Sequence, residues 1–329
     1  MTQLLVAVVM WVLVASLLIL RRRRTDRSIS YASITIAISM TFNVNDIYLD
    51  IDRLLGRSNL TTILGDALLM VGLSFLGRGV MKAGDYRPRL ARIAVGRPAL
   101  IVALAAVTIC FCFIDRGTST DAFMRDVGDQ PAACVYSMTV FTYCAIVVFA
   151  MHILAISQWR ANRGLMCIPA ILLTYGSLAG LMLCAIVMVM DLAHVLGNMP
   201  LLDLARSFYG PLMLGSFVLL CSGFVAQPLT RLLRKRFRHV RTDVLLTQLE
   251  PIWRAANTLR PGLSNRPGIA TLVDDPDALL HRRVVEIRDA MIDPRVHFTV
   301  APCQRALIER AERHLLGNST PKHHAPEPA

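Results

Sequence analysis

Asp66 stands in the stretch LTTILGDALLM (60–70), an acid among aliphatic side chains. On insertion scales an acid at the centre of a membrane helix costs about 2.5–3.5 kcal/mol, so such a residue turns inward and is a functional candidate. There it can take up a proton or a cation, or pair with an arginine of a neighbouring helix. The plainer alternative is that it lies about a turn and a half from the surface, reaches water and is structural. Thr62, four residues earlier, is on the same helical face. A second polar stripe, Thr35, Ser39, Asn43 and Asp46 with Asn45 beside it, runs through SISYASITIAISMTFNVND (28–46). Small hydroxyl residues on membrane helices more often pack and hydrogen-bond between helices than line a path. If Asn43, Asp46 and Asp66 converge, they form a polar vestibule suited to a cation or an amine. The transport or ligand candidates are thus Asp66, Thr62, Asn43, Asp46, Thr35 and Ser39.

Further along, Tyr136, Thr139 and Tyr143 recur at helical spacing, and His152 follows near the other end of the same apolar run. Gly176 and Gly180, four apart, have the spacing that lets helices approach closely. Asp191 and His194 end the next run and read as interfacial.

These residues have to be positioned by membrane helices. The 329-residue chain is 54% hydrophobic with a mean hydropathy of +0.51, more apolar than an ordinary soluble domain. A span needs about 20 mostly apolar residues, and seven windows qualify: 2–20, 28–45, 60–77, 98–114, 132–156, 164–190 and 207–227. The second, rich in Ser and Thr, is the weakest. Alternate connections carry nineteen and five Lys or Arg residues. The richer side is cytoplasmic by the positive-inside rule, which puts the N-terminus outside and the C-terminus inside. Arg21 to Arg24 then hold the inner end of the first span at anionic lipid, and the basic stretch 231–241 is a second lipid anchor. The net charge of +12 is spread between apolar runs, which argues against a nucleic-acid surface. A cleaved signal peptide would carry its charge before the apolar run, whereas here the arginines follow it. Arginine outnumbers lysine 32 to 3, the bias of a GC-rich bacterial genome, so the expected location is the bacterial plasma membrane.

The eight cysteines fall mostly within the spans and read as small apolar packing residues. Cys110 and Cys112 diverge by about 200° around a helix and make a poor chelate. Phosphate-loop spacing, HExxH and GxSxG are missing from the sequence. The expectation is a non-enzymatic protein with no metal and no cofactor. Seven spans do not divide into two equal inverted bundles, which counts modestly against a repeat-built carrier.

After the last span, QPLTRLLRKRFRHVRTDVLLTQLEPIWRAANTLRPG begins as a basic helix that Pro251 is expected to break. In DDPDALLHRRVVEIRDAMID, Asp275 can cap a helix with Pro276 in its first turn, and Leu280, Val284, Ile287 and Met291 form its apolar face. Arg282 and Glu286 are four apart on the other face. Residues 301–316 can form another helix. The domain reading is a transmembrane domain over 1–227, a juxtamembrane segment and small helical cytosolic domain over 228–316, and a disordered tail over 317–329. The fold class is all-α: a polytopic bundle of seven transmembrane helices with this small helical domain.

YLDIDRLLGRSNL, together with LEPIWRAA and HRRVVEIRDAMI, resembles actinobacterial multi-pass membrane proteins named as transporters, which carry a C-terminal cytosolic domain of unknown function. The run from Arg282 to Asp289 matches that domain's signature. The chain departs from it at His281, where an aromatic residue is expected, at Ala290, where glycine is expected, and after Ile292. The resemblance implies transport of a small molecule or ion, and it implies no substrate and no catalytic residue. The alternative is a membrane sensor or scaffold that signals through the cytosolic domain to a protein partner, with Arg282, Arg283, Glu286, Arg288 and Asp289 as the contact residues.

Overall fold

The computed structural model describes residues 2–20, 28–56, 58–83, 93, 95–120, 123–259, 275–295 and 297–316. The expectations for Arg21 to Arg24 and for the tail over 317–329 lie outside these residues. Within them the chain is helical, with no strand, and it divides into two units, Met1–Arg231 and Leu232–Ala329.

The first unit contains α1 (Thr2–Leu20), α2 (Ser28–Phe42), α3 (Asn45–Leu54), α4 (Leu60–Ala83), α5 (Arg97–Cys112), the single turn α6 (Phe123–Asp126), α7 (Pro131–Ala161), α8 (Cys167–Val195) and the first part of α9 (Met199–Leu259). Five segments are long and apolar enough to cross a membrane: Gln3–Leu20, Leu60–Lys82, Pro131–Ala161, Gly164–Val195 and Met199–Leu259. The helices α2 and α5 are apolar but have only 15 and 16 residues. They rise about 23 and 24 Å, against a hydrocarbon core about 30 Å thick. The second window was expected to run to residue 45, but its helix stops at Phe42. There the Asn43 amide donates back to the Ser39 carbonyl at 3.0 Å, the local bonding by which asparagine competes with helix continuation.

Helices α1, α2 and α4 pack side by side. Trp11 Nε1 donates to Thr41 Oγ1 at 3.1 Å between α1 and α2, and Ser39 Oγ donates to the Gly65 carbonyl at 2.7 Å between α2 and α4. These pairings are antiparallel, so the start of α1, the end of α2 and the start of α4 share one end of the bundle. Glycine sets the closest approaches. A Cβ on Gly72 would come within 2.4 Å of Ile36, and one on Gly176 within 2.8 Å of the Leu220 backbone nitrogen. A Cβ on Gly180 would meet Val148 at 3.4 Å, so the glycine pair of α8 faces two helices. Helices α5 and α7 open with Pro98 and Pro131, where a missing N–H leaves no bond unmade. Tyr136, Phe224, Leu17, Met70 and Leu154 are fully buried, while Val12, Val102, Phe149 and Met182 are exposed. Helices that are apolar both inside and outside suit a membrane-embedded bundle.

The second unit combines the later part of α9 with α10 (Pro276–Ile292) and α11 (Pro302–Leu316). The expected break at Pro251 does not occur, because α9 continues to Leu259. A proline inside a helix costs about 3 kcal/mol. Leu249, Ile252 and Ala256 around it are buried in this unit's core with Leu280, Ile287 and Ile308, which offsets that cost. Asp275 caps α10 as expected, accepting from the Asp277 backbone N–H at 3.1 Å. Its buried face is Leu280, Val284, Ile287 and Ala290. Ala290 takes the place expected for Met291, which is only partly buried.

Candidate functional site

The bundle end that holds α3 is tied together by two polar residues. Asp52, fully buried on α3, accepts from the Asn59 backbone N–H at 3.0 Å, from the Thr61 N–H and hydroxyl at 3.3 Å each, and from the Ser119 hydroxyl. Burial alone would raise its carboxyl. The hydrogen bonds from Ser119, Asn59 and Thr61 outweigh that and hold it below the usual carboxylate range. Asn59 uses its whole amide. Nδ2 donates to the Arg116 and Thr118 carbonyls at 2.8 and 3.1 Å, and Oδ1 accepts from Tyr48 and from the Thr120 N–H at 3.0 Å each. Together they fix the first turn of α4, whose N–H groups lack helical partners, against residues 116–120.

Asp66 lies about 9 Å along α4 from its first residue, Leu60. Its Oδ2 accepts from the Tyr136 hydroxyl of α7 at 2.6 Å. Tyr136 is 1% exposed and its ring packs on Phe111 of α5 at 5.5 Å between centroids. The Arg116 guanidinium covers the same Phe111 ring at 4.9 Å, so the loop knot and the Asp66 donor share one aromatic support. On its other side Asp66 lines a cavity of about 160 Å³, bordered by α1, α2, α4, α7, α8 and α9. Asn43, Gln3 and Tyr209 line it with Asp66, and Leu13, Ile36, Leu73, Phe217 and Phe224 make much of the remaining wall. Among the described residues no cationic side chain pairs with Asp66.

The expected vestibule is therefore assembled in part. Asn43 and Asp66 border the same cavity, whereas Asp46 is exposed on α3. Thr62 turns to Tyr48, with 2.8 Å between the hydroxyls. Ser39 is engaged by Gly65, and Thr35 donates to its own helix at the Ala32 carbonyl, 2.9 Å away. His152 Nδ1 lies 2.9 Å from Ser177 Oγ and 3.2 Å from the Thr174 carbonyl, between α7 and α8. Asp191, read from the sequence as interfacial, is 7% exposed, and its Oδ2 has no hydrogen-bond partner among the described residues.

Sequence reasoning missed Tyr136 as the partner of Asp66. The spacing of Tyr136, Thr139 and Tyr143 marked a helical face, but nothing in it pointed across to α4. Tyr209 and the Asp52–Asn59 knot were missed as well, although both knot residues stand in YLDIDRLLGRSNL. No group of metal-ligating side chains occurs among the described residues.

In the second unit the signature side chains make contacts within the unit. Arg282 pairs with Glu286 at 2.7 Å, and Glu286 also accepts from Trp253 Nε1. Arg283 pairs with Glu250, donates to the Leu246 carbonyl at 3.1 Å and covers the Trp253 ring at 5.0 Å. Arg288 grips Glu312 with two bonds of 2.6 and 2.8 Å, and the Arg288 hydrogen bond lowers the Glu312 carboxyl. Asp289 is half-buried and receives the Asp293 N–H on its carbonyl at 3.1 Å. The pattern ties α10 to α9 on one side and to α11 on the other.

Residues 235–325 match a family of unknown function (DUF6545), over nearly the same stretch as the second unit. No curated protein and no solved structure matches the chain.

Proposed function

We propose that the first unit is a transporter of a small molecule or ion in the bacterial plasma membrane, with its path through the Asp66 cavity. The observation that carries this reading is the acid itself, which borders a cavity lined by six helices and has a tyrosine hydroxyl, not a cation, as its partner. An ionisable residue facing an internal cavity of a membrane bundle marks a substrate or ion route.

In this reading α2 and α5 also cross, giving seven spans with the N-terminus outside and the C-terminus in the cytosol. The positive-inside rule supports that direction, and anionic lipid is the partner of the basic connections. The chemistry supplied is binding and release, with no covalent step.

A second reading is a sensor that signals through the cytosolic unit. It is favoured by a groove of about 690 Å³ on that unit, which Asp243, Glu250, Arg254 and Arg283 line with charges of both signs, a surface suited to a protein segment.

The two separate in one experiment. Cells lacking the protein are complemented with wild type, Asp66→Asn, or the double change Asp243→Lys with Arg254→Glu, which reverses exposed charges of the groove, each at equal membrane level. Internal and external metabolite and ion pools are then compared. Transport predicts that Asp66→Asn matches the null strain in a specific solute while the groove variant behaves as wild type. The reverse pattern sinks the transporter reading in favour of the sensor.

A further inference from the structure

The shape and polarity of the cavity narrow the class of ligand. On α1 its lining runs from Gln3 to Leu17, about 21 Å of helix, yet its volume is only about 160 Å³. It is a slender slot. Polarity is concentrated at one end, because Gln3 opens α1, Asn43 follows the end of α2 and Asp66 lies near the start of α4, and the antiparallel pairing of these helices brings those three positions together. Deeper in, the wall carries Leu17, Ile29, Leu76, Leu220 and Phe224. Ser33, Ser216 and the cysteines interrupt it, but Ser216 Oγ is already turned back to the Met213 carbonyl at 2.9 Å and Ser33 Oγ to the Ser30 carbonyl at 2.9 Å. Those hydroxyls are held by their own helices, and the slot offers a ligand hydrocarbon contact along most of its depth.

The charge logic is as specific. The Asp66 carboxylate stands between fully buried Tyr136 and the slot. Tyr136 supplies one neutral hydrogen bond to one oxygen. An ionised carboxylate in apolar surroundings is costly unless paired with a cation, and among the described residues the protein supplies none at this place. A cationic head delivered by the ligand completes the pair, and Asn43 and Tyr209 at the same end add neutral polar contacts. An anionic head would meet like charge here, and a neutral head would leave the carboxylate uncompensated.

We infer that the slot binds an amphiphilic monocation, an ammonium head against Asp66 with a single unbranched hydrocarbon tail directed along α1 toward Leu17 and Phe224. This rests on the Asp66 cavity being the functional site, and it adds the substrate class and the direction in which the ligand lies.

The test uses the full-length protein in lipid nanodiscs with three probes that share one tail and differ in head charge: n-octylammonium, n-octanol and octanoate. Binding is measured by calorimetry, with the heat of partition into empty nanodiscs subtracted. Wild type is expected to bind n-octylammonium at least tenfold more tightly than n-octanol and not to bind octanoate. Asp66→Asn is expected to lose about tenfold for n-octylammonium and to leave n-octanol unchanged. Asp66→Glu, which keeps the charge, retains the preference. Leu73→Trp, which fills the slot while sparing the carboxylate, weakens both n-octylammonium and n-octanol. Equal affinity for the ammonium and the alcohol, or an ammonium affinity indifferent to both Asp66→Asn and Leu73→Trp, overturns the proposal. Cation binding that depends on Asp66 without any Asp66-dependent solute flux in cells upholds the site and removes the carrier reading. Asp66-dependent flux of a solute with no ammonium preference keeps the carrier and overturns this ligand class.

Discussion

Asp52 and Asp66 are both acids withdrawn from bulk water in the first unit, and their surroundings give them different work. Asp52 accepts four hydrogen bonds, two of them from backbone N–H groups at the start of α4. Its carboxylate is thus stabilised by donors that need its charge. Asp66 has one tyrosine and an open cavity. The first arrangement is finished within the protein; in the proposed reading the second is completed by the ligand. A pH experiment follows from the finished one. The folded-state carboxyl of Asp52 is lowered from its ordinary value of 3.8. A lowered value means that its contribution is fully present above about pH 4 and is lost as the pH falls below that, through the folded-state value. Between pH 5 and 3, the unfolding midpoint of wild type in detergent is expected to fall more steeply than that of Asp52→Asn, which is less stable near neutrality and has no charge to lose here. Parallel slopes would show that the Asp52 charge does not hold the loop. The residue types of this knot were visible in the sequence, but its wiring was not, because Asp52 and Ser119 are brought together by tertiary folding across 67 positions.

At the scale of elements, what the sequence disclosed depended on whether a signal was local. The cap at Asp275 and the apolar face of α10 were legible because both follow from residues within one or two turns. The end of α9 was not. Pro251 is a local signal for a break, and it was overruled by the burial of Leu249, Ile252 and Ala256 on the opposite face. Pro251 itself is exposed, so it contributes little to that core while leaving the helix one N–H short. Pro251→Ala is therefore expected to stabilise the chain by roughly 1–3 kcal/mol, since alanine restores the bond and removes the ring clash. Thermal unfolding of the two proteins side by side checks this. A lower midpoint for the alanine variant would mean that the proline fits a bend on which the core depends. Likewise α2 was legible as an apolar helix and not in its length, because the turn at Asn43 rests on a side-chain bond to its own backbone that hydropathy does not weigh.

For the whole molecule, the division into an apolar bundle and a smaller polar unit was readable from composition, since the switch from apolar runs to amphipathic segments is abrupt after residue 227. The cavity was not, because its walls come from six helices and no single stretch of sequence carries its outline. The proposed direction across the membrane rests on charge alone. Arg and Lys are held on the cytosolic side wherever connections are short, and the loops with fewer of them include residues 115–130. Two positions report on it. Asp129 is exposed in one of those loops, and Cys303 is an exposed native thiol in the second unit. In intact cells a membrane-impermeant maleimide is expected to label Asp129→Cys and to reach Cys303 only after permeabilisation. Exposed Cys112 lies at the end of α5, so the proteins compared carry Cys112→Ala to remove its background. Labelling of Cys303 from outside with protection of position 129 would reverse the orientation, placing the Asp66 end of the cavity toward the cytosol and making the cell interior the source of its ligand. Labelling of both positions from the same side would instead give an even number of crossings between them, so that one of α7, α8 and α9 would not cross.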